Sequence, residues 1–143
     1  MNIWDFQRTL NRRLARINIL NMIVGIFLSR RDGFWQAVGM QAIGWAFINL
    51  CIAFFGRIFT NQRYENIDDP NAPEIRHKEK RNLRNILLIN ACLNPLYIYG
   101  GARFAKYRIH SESGRGTGWG IMIQGAILAI FDTFHILKLM MRD

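Results

Sequence analysis

The sequence predicts an all-α protein, a polytopic four-helix bundle in a membrane whose third helix extends into the cytoplasm. The prediction rests on the segregation of charged from apolar residues along the 143-residue chain, which leaves three stretches of at least 18 residues almost without charge. At about 1.5 Å per residue, a helix of that length approaches the roughly 30 Å of a bilayer core. Half of the residues are hydrophobic and two are cysteine, which excludes a disordered chain and a disulfide scaffold. The chain is long enough for a single membrane domain, residues 1–143, and too short for two domains.

Helix one, predicted over about 5–29, has the shortest apolar segment. Only 13 residues separate Arg16 from Arg30, fewer than a membrane span normally needs. The long side chain of Arg16 can reach the interface from a deeper position, which favours a full span over a half-inserted interfacial helix. Helix two, predicted over about 33–57, contains 24 consecutive residues without a charge and is long enough to cross.

Helix three is predicted over about 72–105, and its first turns lie outside the apolar segment. Asn71 followed by Glu74 has the spacing of a capping box, and Pro73 suits a first helical turn. These first turns and the polar residues before them form a predicted cytoplasmic connection over 58–84.

Helix four is predicted over about 117–140 and carries the one acid within the predicted spans, Asp132. A glycine-rich run, 114–120, leads into it. Such a run can hold phosphate at a helix start, but this one follows no predicted strand and precedes no Lys-Ser or Lys-Thr pair. We therefore expect a flexible turn and close helix packing.

The net charge of +9 indicates the topology of the chain. Thirteen of the nineteen Lys and Arg residues flank the predicted spans on the side of the two termini, among them Arg142 in the tail. The positive-inside rule therefore predicts that both termini and the 58–84 connection are cytoplasmic. The basic residues then need no nucleic acid, and membrane lipids are the expected partner.

The start of helix three is a candidate surface for anionic lipids. A basic residue close to anionic headgroups contributes about 1 kcal/mol to membrane binding. Ordinary positive-inside charge, with no specific lipid, would give the same pattern. The candidate residues are Arg76, Lys78, Lys80, Arg81 and Arg84.

Polar side chains recur at helical spacing in every predicted span, where they are expected to face protein and not lipid. Counted inward from the nearest cytoplasmic basic residue, four of them lie at a similar depth: Asn21, Asn49, Asn90 and Asp132. We expect these four to form one polar cluster, with His135 one turn nearer the cytoplasm.

Two interpretations of this cluster stay open. A carboxylate within a membrane is costly, which favours a proton- or ion-binding site at Asp132. Carboxamide hydrogen bonds between helices average only about 0.6 kcal/mol, but they fix the register of apolar helices and would be structural. Arg16 or Arg84 is the expected counter-charge. His135 is either a hydrogen-bond partner of Asp132 or a ligand for a haem or chlorophyll.

The sequence indicates no enzyme chemistry. It contains no nucleophile–base pair, no nucleotide motif and no spacing typical of metal ligands. We therefore expect no catalytic residue and no metal site, and the sequence assigns no cofactor.

Three strings resemble those of a family of small bacterial four-helix membrane proteins of unknown function. The strings are Trp45-x3-Asn49-x3-Ala53-x2-Gly56, Asn90-x2-Leu93-Asn94-x2-Tyr97-x3-Gly101 and Gly118-x-Gly120-x3-Gln124-Gly125-x2-Leu128-x3-Asp132. The chain departs from the pattern at Asn94, where that family usually has Asp. The resemblance implies a four-helix architecture in a bacterial inner membrane and, because no activity is assigned to the family, no particular chemistry.

The leading function hypothesis is a structural or accessory subunit that packs against a larger membrane assembly or against itself. Small residues on its helices suit such contacts. The alternative is a small transporter, or an ion-, lipid- or pigment-binding protein, that uses the polar cluster.

Overall fold

The computed structural model describes residues 2–141, and these residues form four α-helices joined by short loops. The helices are α1 (Ile3–Ser29), α2 (Phe34–Asn66), α3 (Pro73–Tyr107) and α4 (Glu112–Met140). The predicted all-α, four-helix class is thereby confirmed. By length and composition, α2 and α4 are long and apolar enough to cross a membrane.

The helices pack as two hairpins, α1–α2 and α3–α4, which join mainly through α2 and α4. Short loops make consecutive helices antiparallel, so the chain termini and the α2–α3 loop share one end of the bundle. The α1–α2 and α3–α4 loops lie at the opposite end. These two ends are packed in different ways.

Large apolar side chains fill the end that holds the chain termini. Trp4 is fully buried, and its Nε1 donates a hydrogen bond to the carbonyl oxygen of Pro70 at 2.8 Å. The ring of Trp4 meets the edge of Tyr64, with centroids 5.5 Å apart. The other buried members of this core are Ile3, Phe6, Leu10, Leu14, Ala53, Leu87, Phe131, Ile136 and Leu139.

Glycines bring the helix backbones together at the opposite end. A Cβ on Gly118 of α4 would lie 2.6 Å from the carbonyl oxygen of Gly101 in α3. A Cβ on Gly116 would collide with the carbonyl oxygen of Phe34 in α2. Since residues two apart in a helix point to nearly opposite sides, α4 packs backbone to backbone against both neighbours.

The glycine-rich run is helical, so the expected turn at 114–120 is wrong, whereas the expected close packing is present. The helix begins at Glu112, five residues before the predicted start at 117. Ser111 caps it by accepting a hydrogen bond from the N–H of Gly114 at 3.0 Å. Tight packing against α2 and α3 compensates for the low helix propensity of glycine.

The polar connection predicted over 58–84 is mostly helix, and the loop is confined to 67–72. The second helix continues nine residues beyond the predicted end at 57 because one of its faces packs on the rest of the protein. Thr60 is buried on this face, and Tyr64, one turn later, packs against the core that contains Trp4.

The predicted capping box at the start of α3 does not form. The side chain of Asn71 instead accepts a hydrogen bond from Asn2 Nδ2 at 3.0 Å, and its backbone N–H donates to Asp69 Oδ1 at 3.1 Å. Ala72 is the N-cap residue, with no side-chain hydrogen bond to the helix. The side chain of Asn71 therefore contacts Asn2, which precedes α1, instead of capping α3.

We expect Gly118→Ala to lower the free energy of unfolding by about 1–3 kcal/mol, because the added methyl group must push α3 away from α4. Gly44→Ala is the matched control, since a Cβ placed at Gly44 meets no atom within 4 Å beyond the neighbouring residues and the backbone of its own helical turn. There the higher helix propensity of alanine should stabilise by about 0.5–1 kcal/mol. Chemical denaturation of the purified protein measures both, and equal effects would contradict the packing argument.

Candidate functional site

A crevice of about 400 Å³ separates α2 from α3, and α1 and α4 contribute to its floor. At one end Trp45 meets the edge of Tyr97, with ring centroids 5.0 Å apart. At the other end Arg63 pairs with Glu79 at 3.3 Å. Between these two contacts the crevice opens sideways to the outside of the bundle.

The rim of the crevice is mainly apolar. Its members are exposed side chains that also line the crevice: Ile48, Ile52 and Phe59 from α2, and Ile86 and Leu93 from α3. Asn90 interrupts this apolar rim. Its carboxamide is exposed and forms no hydrogen bond with any residue in 2–141.

The floor of the crevice is polar. Asp132 of α4 is 5% exposed, and its Oδ2 accepts a hydrogen bond from Nδ2 of Asn94 in α3 at 2.8 Å. Asn49 of α2 lines the same floor and is also buried. A carboxylate and two carboxamides from three helices therefore line the floor of one crevice.

Asn49 is held by a chain of hydrogen bonds that leads into α1. Its Nδ2 donates to Asn18 Oδ1 at 3.2 Å, and Asn18 Nδ2 donates to the carbonyl oxygen of Leu14 at 2.9 Å. The buried Asn18 thus orients the Asn49 carboxamide so that its Nδ2 faces Asn18.

The crevice brings together three of the five residues singled out in the sequence, Asn49, Asn90 and Asp132. Asn21 lies elsewhere. Its side chain exchanges two hydrogen bonds with Gln124 of α4, at 2.6 and 3.2 Å. The expectation that Asn21 joins Asp132 is therefore wrong: Gln124 lies eight residues, about 12 Å along the helix, before Asp132.

The hydrogen-bond partner of Asp132 is Asn94. The sequence had instead indicated Asn90, because Asn90 lies at a depth similar to that of Asp132. The two asparagines lie one turn apart in α3, but Asn94 faces α4 and Asn90 faces the mouth of the crevice. The expected counter-charge is also wrong. Arg16 and Arg84 are exposed, and neither forms an ion pair with Asp132 in the part of the chain that the structure describes.

His135 is buried among aromatic rings and does not line the crevice. Its Nδ1 lies 2.7 Å from the carbonyl oxygen of Phe131, so Nδ1 carries the proton, and it does not bond to Asp132 as one interpretation expected. Its Nε2 is buried without a hydrogen-bond partner among residues 2–141. The rings of Phe6, Phe131 and Phe134 surround it, with centroids 4.1–6.2 Å away.

A second polar network, which was not predicted from the sequence, lies at the end that holds the termini. Gln7 Nε2 donates to Glu79 Oε2 at 2.9 Å, and Gln7 Oε1 accepts from Thr60 Oγ1 and from Arg63 Nη2, both at 3.0 Å. Three helices meet there. Glu79 falls at a spacing of four from Ile75 on the apolar face of α3, a signal that could have identified it.

The basic residues at the start of α3 do not form one surface. A shallow depression is lined by Lys78, Lys80, Arg81 and Arg84, together with Glu74 and His77. Arg76 is exposed outside this depression.

The fold and the crevice define a class: a helical bundle with a polar, laterally open site between its second and third helices. Residues 13–133 match the model of a family described as a family of unknown function (DUF6992). This match covers more than half of the chain, so the protein is a member of that family. The expected membership of a family without an assigned function is confirmed. No curated protein and no solved structure matches the chain.

We expect Gln7→Met to lower the free energy of unfolding by about 1–3 kcal/mol, because Glu79 would lose its nearest donor while staying buried. Gln62→Met is the control, since Gln62 is exposed and lies in α2 between Thr60 and Arg63 of the network. The stability of both variants is measured by chemical denaturation of the purified protein. Equal stability of the two variants would show that the network contributes nothing.

Proposed function

We propose that the protein is an integral membrane protein in which all four helices cross the bilayer. Support comes from exposed large apolar side chains, which occur on α1 and α3 as well as on α2 and α4. On α1 they begin at Ile17, directly after Arg16, and on α3 at Ile86, two residues after Arg84. Water-soluble monomers rarely expose apolar surfaces of this extent, whereas acyl chains cover them without cost.

The proposed orientation places both termini and the 67–72 loop in the cytoplasm, with the protein in a bacterial inner membrane. Support comes from the excess of basic residues at this end, since Lys and Arg favour the cytoplasmic side. Arg142, which was counted among them, lies outside the described residues. The first turns of α3 would then meet anionic headgroups of membrane lipids through the depression that contains Lys78, Lys80, Arg81 and Arg84.

Within the membrane we propose a non-catalytic role, that of an accessory subunit which docks its α2–α3 face against another membrane subunit or a second copy. The observation that carries this proposal is Asn90, an exposed carboxamide on an apolar rim. Acyl chains offer a carboxamide no hydrogen bond, so its exposure to lipid is costly. A polar side chain on a partner helix would satisfy it.

The sparse burial of α3 also supports docking on this face. Beyond Glu79, the buried residues of α3 are Leu87, Asn94, Gly101 and Ala105. Steps of seven and four place them on a single narrow line along the helix. Apart from half-buried residues such as Ile75, Leu83 and Ala91, which pack against the core, the exposed surface of α3 is open to a partner.

A second candidate function is ligand binding in the crevice, and Asp132 favours it. An ionisable residue inside a membrane bundle usually marks a site of ion binding or transport. The crevice supports a small polar ligand better than a pigment, since the Phe6, Phe131 and Phe134 rings occupy the space around His135. Binding of an ion and docking of a partner are compatible.

Cysteine labelling tests the topology. In a chain with Cys51 and Cys92 replaced by alanine, a membrane-impermeant maleimide should label Asp32→Cys on intact spheroplasts, and Asp69→Cys only after lysis. The first position lies in the α1–α2 loop and the second in the α2–α3 loop. The reverse pattern would contradict the orientation, and labelling of both on intact spheroplasts would contradict four spans.

Native mass spectrometry of the detergent-solubilised protein tests docking. The wild type should appear in a complex of defined mass, and Asn90→Leu should weaken that complex about three- to twentyfold, the range expected for one interhelical polar contact. Asn82→Leu, an exposed asparagine earlier in α3, is the control and should leave the complex intact. A monomeric wild type, or equal complexes in both variants, would refute the docking proposal.

A further inference from the structure

The floor of the crevice contains oxygen atoms that receive no hydrogen bond from the described residues. Asn94 directs its Nδ2 to Asp132 Oδ2, which leaves Asn94 Oδ1 and Asp132 Oδ1 without a donor. The orientation of the Asn94 carboxamide is fixed by chemistry, because its nitrogen is the atom that can donate to a carboxylate. Two acceptors are therefore left over.

Asn49 adds a third acceptor for the same reason. Asn18 uses its nitrogen to donate to the Leu14 carbonyl oxygen, so it presents its oxygen to Asn49. Asn49 must then donate through its own nitrogen, and no donor among residues 2–141 reaches Asn49 Oδ1. The Asn18–Leu14 and Asn49–Asn18 hydrogen bonds together therefore fix the orientation of the Asn49 carboxamide.

These unpaired oxygens belong to buried side chains that line one crevice. The exposed fractions of Asn49, Asn94 and Asp132 are 6%, 2% and 5%. Among residues 2–141 the one fully solvent-excluded side-chain atom without a partner is His135 Nε2, so these three oxygens are open to the space of the crevice, where an occupant can reach them. Arg63 also lines the crevice, but it is engaged by Glu79 and Gln7 at the far end. The floor therefore combines one acid with neutral acceptors and calls for a cationic or proton-donating occupant.

We propose that this floor binds one alkali-metal cation, Na⁺ or K⁺, with Asp132 Oδ1 and the carboxamide oxygens of Asn49 and Asn94 as ligands. Oxygen atoms of side chains and of interrupted helix backbone bind such ions in membrane proteins. One carboxylate balances one positive charge. Divalent ions suit the site less well: Ca²⁺ takes six to eight oxygen ligands, usually several of them carboxylates, and Mg²⁺ gives up its water reluctantly. In residues 2–141 no cluster of three or more His, Cys, Asp or Glu side chains offers a divalent ion an alternative.

The interior proline of α3 leaves one carbonyl oxygen of that helix without its usual donor. Pro95 directly follows Asn94 and has no N–H, so the carbonyl oxygen of Ala91 loses its usual helical donor. Asn90 lines the same crevice at its rim. The cation site requires the four helices as they pack here and does not depend on the docking of a partner.

Thermal unfolding of the full-length protein in detergent tests this inference. We expect a melting temperature about 5 °C higher in saturating NaCl or KCl than in choline chloride at equal ionic strength, because a bound ion stabilises the folded state. Asp132→Asn should abolish the difference, since the variant keeps the shape of the side chain and loses its charge. Gln124→Leu, which removes a buried polar contact of α4 outside the crevice, should keep it.

Equal melting temperatures of the wild type in the three salts would overturn the proposal, and this is also the result expected if water alone fills the floor. A salt difference that persists in Asp132→Asn would overturn it too. Should that variant fail to fold, equilibrium dialysis of the wild type against radioactive sodium, or rubidium as a substitute for potassium, decides the matter. One ion per chain, displaced by unlabelled Na⁺ or K⁺ and not by choline, supports the site, and no binding of either refutes it.

Discussion

The backbone packing of α4 is the constraint on which the rest of the structure depends. Gly116 brings α2 against this helix and Gly118 brings α3 against it from the other side. Helices that meet through side chains stay about 8–10 Å apart, so glycine at these positions is what permits the approach. With α4 between them, α2 and α3 touch each other mainly through side chains at two points, and the crevice is the space that this arrangement leaves open.

The two ends of the bundle are packed by different kinds of residue. At the end that holds the termini, large side chains such as Trp4 and Phe131 form a core of the kind found in water-soluble proteins. At the opposite end, small residues replace them. In lipid the hydrophobic effect does not draw apolar helices together, and close backbone contact provides the attraction instead. The change from one mode to the other agrees with the proposed position of the bilayer.

Most of the helical architecture could be predicted from the sequence, because charge-free stretches and helical periodicity are local properties. The extension of α2 to Asn66 could not, since it depends on a face that packs on α1 and α3. The same limit applies to the site. The polar residues of each span were identified, but the pairing of Asp132 with Asn94 depends on the rotation and tilt of α3 relative to α4. Counting residues from the nearest basic residue measures depth along one helix and carries no information about which residue of another helix lies opposite. Glu79 was overlooked because it stands among basic residues in the sequence.

The attachment of the first residues to the α2–α3 loop has a consequence for how the chain is made. Trp4 donates to the carbonyl oxygen of Pro70, and Asn2 donates to Asn71. Residues separated by 66 positions must therefore meet, although the earlier of them leaves the ribosome long before the later one exists. During synthesis the start of α1 has to wait, with its indole uncovered, until both helices of the first hairpin and the loop after them have emerged. The start of α1 is thus among the last parts of the first hairpin to reach its final place, although it precedes the rest of that hairpin in the sequence.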